Sequence, residues 1–336
     1  MLMDEILRHL QPRDIKTVAL VCSSWRHAVE RPRFWAWATV NLDNNFFMER
    51  EDFGRRLKNV SRARINLPIT SVTEKTLSKV VVKMSEVFLF DEYDTMRESE
   101  MNDEEKYRGH LEEIFTFIGQ SDKLVLRKLN LEYLDQIRTV SRATLSQALC
   151  RIESVDLIET SLRPLQAREL FIRIAENPEL KLRKLCGWQY GVTGFDEECI
   201  VRCISPETLA RAAIRLEEVN VSYKASAEQL GRLFTEIATN IKCRLKKIDL
   251  VSTDLTKISP DIFSTAIIRL EEVVLGDAHL TRKQVKAVFT AIVEAKELRL
   301  KTFHLSADPT SYVMSRVKPK VLSEASKRVF VDLTEI

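Results

Sequence analysis

Apolar residues recur in this chain as a short motif, apolar-x-x-apolar-x-apolar, at steps of 25 to 34 residues. It reads Leu126-x-x-Leu129-x-Leu131, Ile152-x-x-Val155-x-Leu157, Leu182-x-x-Leu185-x-Gly187 and Leu216-x-x-Val219-x-Val221. It continues as Leu245-x-x-Ile248-x-Leu250, Leu270-x-x-Val273-x-Leu275 and Leu300-x-x-Phe303-x-Leu305, with an earlier copy at Met84-x-x-Val87-x-Leu89. The alternating positions suit a short strand with one face inward. What precedes each strand sorts the copies into two kinds that alternate. One kind has Phe eleven and Ile eight residues upstream: Phe115/Ile118, Phe171/Ile174, Phe234/Ile237 and Phe289/Ile292. The other has apolar residues seven, four and three upstream, as in Leu77/Val80/Val81, Leu145/Ala148/Leu149, Leu209/Ala212/Ala213 and Phe263/Ala266/Ile267. Offsets of three and four keep one face of a helix inward. Each unit is therefore helix then strand, and none can bury its apolar stripe without neighbours, which predicts a solenoid.

This pattern resembles the leucine-rich repeats of the ribonuclease-inhibitor type, which alternate two unit lengths. The resemblance spans roughly residues 60–333 and implies an α/β solenoid, a curved parallel sheet with outer helices. The residues after the strands are mixed, for example Glu159-Thr-Ser-Leu162 and Ser252-Thr-Asp-Leu255, where the family usually carries Asn. The units at Arg64-Ile65-Asn66-Leu67 and Val329-Phe-Val-Asp332 are degenerate, as end caps should be.

The second and third strand positions alternate in charge: Arg127-Lys128, Glu153-Ser154, Arg183-Lys184, Glu217-Glu218, Lys246-Lys247, Glu271-Glu272 and Lys301-Thr302. Parallel neighbours lie about 4.8 Å apart, so each basic pair flanks an acidic one. A charged binding surface is one reading. The reading preferred here is a self-neutralising ladder that specifies unit order, because like charges side by side cost energy. Two stretches break the spacing. Residues 91–113 hold ten acidic against three basic residues and predict a solvated acidic loop over about 91–110. The stretch Gly187 to Phe195 combines three glycines with Trp188, Tyr190 and Phe195. It is either a binding loop or a plug over the adjoining unit.

Composition narrows the class. With 52 Lys+Arg against 49 Asp+Glu, the net charge of +3 is too balanced for a nucleic-acid binder. Eight Gly and nine Pro in 336 residues exclude collagen-like and linker-dominated chains. No run of about 18 apolar residues exists, so no membrane span is expected. The six cysteines, Cys22, Cys150, Cys186, Cys199, Cys203 and Cys243, form no CxxC pair and read as buried free thiols of a reducing compartment. No metal site, cofactor or phosphate-binding loop is legible. The five histidines show no catalytic spacing, and His304 with Asp249 is an isolated pair.

Residues 1–40 do not obey the repeat. Glu5 to Leu10 predicts a short helix, Pro12 and Asp14 open a second, and Trp25 lies in a third that ends before Pro32. So small a unit cannot bury its apolar surface alone, which points to a partner. The stretches Ile6-Leu7-Arg-His-Leu10-Gln-Pro12-Arg-Asp14-Ile15, Ala19-Leu20-Val21-Cys22-Ser-Ser-Trp25-Arg26 and Pro32-Arg-Phe34-Trp35 resemble an F-box. That resemblance divides the chain into an F-box over 1–40 and a leucine-rich-repeat solenoid over 41–336. It implies a non-catalytic, cytoplasmic or nuclear substrate receptor of a cullin-RING ubiquitin ligase. The F-box would hold a SKP-family adaptor, and through it cullin and RING subunits, by Leu7, Leu10, Pro12, Ile15, Leu20, Val21 and Trp25. The repeats would take a protein substrate. The fifth strand position and the residue two beyond it should line the open face, which nominates Asp156, Trp188, Asn220, Asp249 and His304, and Tyr190 joins them from the glycine-aromatic loop. The rival is a repeat scaffold or inhibitor that binds one protein without ubiquitin machinery.

Overall fold

The computed structural model describes residues 39–42, 60–67, 73–90, 104–158, 160, 162–187, 200–221, 225–305 and 317–332. The chain divides into two compact units, Met1–Ser161 and Leu162–Ile336. The described residues of both form a leucine-rich-repeat solenoid: parallel strands in sequence order, with a helix described between consecutive strands of each unit from β2 onward.

In the first unit the strands are β1 (Thr39–Leu42), β2 (Arg62–Asn66), β3 (Glu86–Phe90), β4 (Lys128–Asn130) and β5 (Ser154–Asp156). The helices are α1 (Glu74–Val81), α2 (Glu104–Gln120) and α3 (Arg142–Leu149). Pairing is parallel throughout, with Ile65 opposite Leu89, Val87 opposite Leu129, and Leu129 opposite Val155. In the second unit the strands are β6 (Lys184–Cys186), β7 (Glu218–Asn220), β8 (Lys247–Asp249), β9 (Glu272–Leu275), β10 (Thr302–Leu305) and β11 (Phe330–Asp332). Helices α4 (Pro164–Glu176), α5 (Pro206–Ala213), α6 (Ala227–Thr239), α7 (Pro260–Ile267), α8 (Arg282–Glu294) and α9 (Pro319–Ser326) alternate with them.

The two kinds of unit differ in helix length. The Phe/Ile units carry helices of 17, 13, 13 and 13 residues. The others carry helices of eight. Phe115, Phe171, Phe234 and Phe289, with the four isoleucines three residues on, are fully buried. Each such Phe contributes about 2–3 kcal/mol by leaving water. Phe234 meets Phe263 of the next helix with centroids 5.0 Å apart. The starts are set locally: Thr73, Ser141, Ser205, Ser226 and Thr281 each accept the backbone N–H three residues on.

Polar groups hold one unit to the next. Gln229 and Gln284, each sixteen residues before a strand motif, are buried and donate from Nε2 to carbonyls of the preceding unit. Gln229 reaches Val201 and Ile204 at 2.7 and 2.6 Å, and Gln284 reaches Leu255 and Ile258 at 2.6 and 2.8 Å. In four of the five short-helix units an arginine just before the strand motif grips the last carbonyls of the preceding long helix; β3 has Lys83 at that position. Arg151 donates to Gly119 and Ser121, both at 2.6 Å, and Arg215 to Ala175 at 2.7 Å and to Asn177. Arg269 donates to Ala238 and to Asn240 at 2.8 Å, and Arg328 to Ile292 at 2.6 Å and Ala295 at 2.7 Å. Those carbonyls have no partner within their own helix and form the negative end of its dipole.

Two expectations need correction. The acidic stretch read as a loop to about residue 110 is helical from Glu104, because Leu111, Ile114, Phe115 and Ile118 give its second half a stripe to bury; residues 91–103 lie outside the described residues. The cysteines are free, yet only Cys150 is buried, while Cys186, Cys203 and Cys243 are half-buried. Cys22 and Cys199 lie outside the described residues.

Candidate functional site

In each short strand the central side chain is buried and its two neighbours point to the other, partly exposed face. That face holds the candidate residues.

In the first unit it bounds a hollow of about 320 Å³. The Arg64 guanidinium sits 4.8 Å from the Phe88 centroid and 5.3 Å from that of Phe90, and the two rings meet edge-on at 5.4 Å. A cation over two aromatic faces is held in place and keeps its charge toward solvent. Arg62 pairs with Glu86 at 3.3 Å. Across the hollow stand Asn130 and Asp156, whose Oδ1 atoms accept the backbone N–H of Glu132 and Ile158 at 2.8 and 3.1 Å. Asp156, nominated for substrate, thus also turns the chain out of its strand. Phe88 and Phe90 occupy the nominated offsets in the copy beginning at Met84. Extending the face rule to that copy would have found them.

In the second unit the charged ladder is realised as ion pairs. Glu217 takes Arg183 at 3.0 Å and Lys246 at 2.8 Å. Glu218 takes Lys184 at 2.8 Å and Lys247 at 3.6 Å. Lys247 also reaches Glu272 at 2.9 Å, and Lys301 reaches Glu271 at 2.5 Å. Hydrogen bonds from Lys246 and Lys301 hold Glu217 and Glu271 below the usual carboxylate range. The Glu218 hydrogen bond raises Lys184. Burial alone would lower Lys247, but the hydrogen bond and charge of Glu272 prevail and raise it. Exposed pairs contribute only about 0–1 kcal/mol each, so the ladder acts on order more than on total stability.

Beyond the ladder, Asn220 Nδ2 donates to Asp249 Oδ2 at 3.0 Å, while Asp249 Oδ1 accepts from Val251 N at 3.1 Å. Burial pushes the Asp249 carboxyl above its ordinary range. His304 Nδ1 lies 3.1 Å from the Asp332 carboxylate and Nε2 lies 3.9 Å from Glu272. Asp332 on the last strand is therefore the direct partner of His304, a pairing that single-unit pattern reading passes over. Trp188, Tyr190 and the adaptor set Leu7, Leu10, Pro12, Ile15, Leu20, Val21 and Trp25 lie outside the described residues. Among the described residues no group of three or more His, Cys, Asp or Glu is placed to hold a metal, and no helix is long and apolar enough to cross a membrane. What this face offers is fixed charge, amide and aromatic surface, the equipment of a protein-binding site.

Residues 2–40 match the F-box-like family model, so an F-box-like domain stands at the amino terminus. The last two matched residues, Thr39 and Val40, are already part of β1. No curated protein matches the chain. Among solved structures, the leucine-rich repeat-containing protein LegL7 from Legionella pneumophila is similar at 13% identity and a TM-score of 0.47. The match covers 88% of this chain and 90% of that one. An F-box-like domain followed by a strand–helix repeat array fits a binding scaffold.

Proposed function

We propose that this chain is the substrate-recognition subunit of a SKP-cullin-F-box ubiquitin ligase, built as an F-box over residues 1–40 and ribonuclease-inhibitor-type repeats over 41–336. The observation that carries the reading is the F-box-like match over residues 2–40 running directly into the first strand of a repeat array. F-box domains generally bind SKP-family adaptors. Leu7, Leu10, Pro12, Ile15, Leu20, Val21 and Trp25 form the adaptor contact, and cullin and RING subunits join through the adaptor. The regular exchange of long and eight-residue helices supports the ribonuclease-inhibitor type. Substrate meets the strand face at Asp156, Asn220, Asp249 and His304 together with Trp188 and Tyr190, and Arg64, Phe88 and Phe90 extend that set. The chain works by effective concentration, holding substrate lysines near a charged conjugating enzyme, in the cytoplasm or nucleus.

Co-purification tests the reading. The full chain should capture a SKP-family adaptor stoichiometrically, and the pair Val21→Ala and Trp25→Ala should reduce that capture at least about tenfold, the effect of removing anchor residues. An array that captures client proteins yet never an adaptor would be a scaffold outside the ubiquitin system, and the ligase reading would fall.

A further inference from the structure

The residue just before each strand motif is basic in most units, but only half of these residues have a structural task. Arg151, Arg215, Arg269 and Arg328, before the short-helix strands, are committed to helix carbonyls. Their counterparts before the long-helix strands β8 and β10 are Arg244 and Arg299. Both are exposed, and their hydrogen bonds run from backbone N–H to Ile214 and Ile268 at 2.8 and 3.1 Å. Among the described residues neither guanidinium has a carboxylate within 4.0 Å.

Both line a cleft of about 580 Å³ along the amino-terminal ends of the second unit's strands. Its walls carry Arg183, Arg244, Lys246, Arg269, Arg299 and Lys301 against Glu217 and Glu271. Six positive and two negative charges leave +4, more than the +3 of the whole chain. Glu217 is shared by Arg183 and Lys246, and Glu271 is taken by Lys301. Arg244 and Arg299 therefore supply two of the four surplus charges; the others come from the two cations sharing Glu217 and from Arg269, whose guanidinium sits on neutral carbonyls. Leu298 and Leu245 supply apolar lining between them. Ile241, 90% exposed, stands two residues before Cys243 of the wall.

We propose that this cleft binds an extended acidic peptide segment of a partner protein, whose carboxylates fork onto Arg244 and Arg299. Planar guanidinium groups match carboxylates two bonds at a time, which a lone lysine does not. The two arginines stand two strands apart, about 10 Å at 4.8 Å per strand, and three residues of polyproline II chain, at about 3.1 Å each and three to the turn, cover that span with the first and fourth side chains on one side. Acidic residues at every third position therefore reach both, and an apolar residue between them meets Leu298. The cleft lies along the strand starts rather than at the Asp249 and His304 positions, and the inference does not depend on the ligase reading.

The test uses the full chain without adaptor and a labelled twelve-residue peptide with Glu at every third position. The Glu peptide should bind, the same peptide with Gln should not, and affinity should fall steeply between about 0.05 and 0.3 M salt. Arg244→Glu with Arg299→Glu should weaken binding at least about tenfold, as the loss of two exposed charge pairs implies. The control pair Arg168→Glu with Arg211→Glu, exposed helix residues outside the cleft wall with the same change in net charge, should leave it within about twofold. No binding of the Glu peptide at low salt, or equal loss in both pairs, overturns the proposal. Binding of an RNA oligomer that needs Arg244 and Arg299 while the peptide fails to bind overturns it in favour of nucleic acid.

Discussion

Arg215 donates to two carbonyls at the end of α4 and sits half-buried against them. Truncating it leaves two helix-end carbonyls without their charged donor, and hydrogen bonds to charged groups contribute about 1.5–3 kcal/mol. Arg215→Ala should therefore cost about 2–3 kcal/mol in urea unfolding. Arg215→Lys should recover less than half, because an ammonium cannot reproduce the two-pronged geometry. Exposed Arg211→Ala should stay within about 0.5 kcal/mol. The two kinds of carboxylate respond to acid with opposite sign. Asp249 is raised by burial, so the folded chain holds its proton more tightly than the unfolded chain does. Its charge costs stability near neutral pH, and that cost is relieved as pH falls through the raised folded value. Glu217 is lowered by Lys246, so its contribution is present above the unfolded value and lost as pH falls through the folded one. Asp249→Asn should thus gain on the parent chain near pH 7 and lose that gain near pH 4. Glu217→Gln should lose near pH 7 and draw level in acid. Urea midpoints at both values decide it, and the same sign for both variants refutes the assignment.

At the scale of the element, register is set by alternation. Glu218 stands between Lys184 and Lys247, and Glu218→Lys makes three cations in a row across β6, β7 and β8. The expected loss is about 1 kcal/mol in low salt, shrinking as salt screens the row; a loss independent of salt would deny the ladder its electrostatic role. Strand and helix were legible because Phe at minus eleven and Ile at minus eight recur unchanged, and burial demands that constancy. The ladder was legible because charges of alternating sign recur at fixed strand positions, though these side chains stay at least partly exposed. The joints were not. Gln166, Gln229 and Gln284 stand at a constant minus sixteen, and arginine recurs at minus one, but polar residues are silent in a hydrophobic pattern. Gln229, Gln284 and the arginines donate to carbonyls of a neighbouring unit, while Oε1 of each of these two glutamines accepts from its own helix start. The turns escaped too. Tyr133, Ser252 and Asp277 adopt left-handed backbone seven residues after their motifs begin, with φ of 61°, 56° and 51°. They are three different residue types, so no shared letter announces the turn. Gly187, with φ 69°, is left-handed at a different offset, five residues after its motif begins.

For the molecule as a whole, the first strand decides where the chain can be divided. Thr39–Leu42 pairs with Arg62–Ile65 over four residues, and Leu42 is buried. Residues 1–38 precede it. A chain beginning at Thr39 keeps β2 paired on both sides, because β3 covers its other edge through Ile65 and Leu89. A chain beginning at Asp43 removes β1 and opens a row of unpaired N–H and C=O groups on β2. It also uncovers apolar surface that Leu42 shields. Exposed edges of that kind recruit other strands. The Thr39 chain should therefore elute as a monomer with the parent's urea midpoint for the repeats, whereas the Asp43 chain should self-associate or unfold earlier. Light scattering during size exclusion reads both. Under the proposed function both lose the adaptor, but only the Thr39 chain keeps its client proteins, so comparing the two separates loss of the F-box from damage to the array. If both behave alike in scattering and unfolding, β1 is dispensable and the array begins at β2.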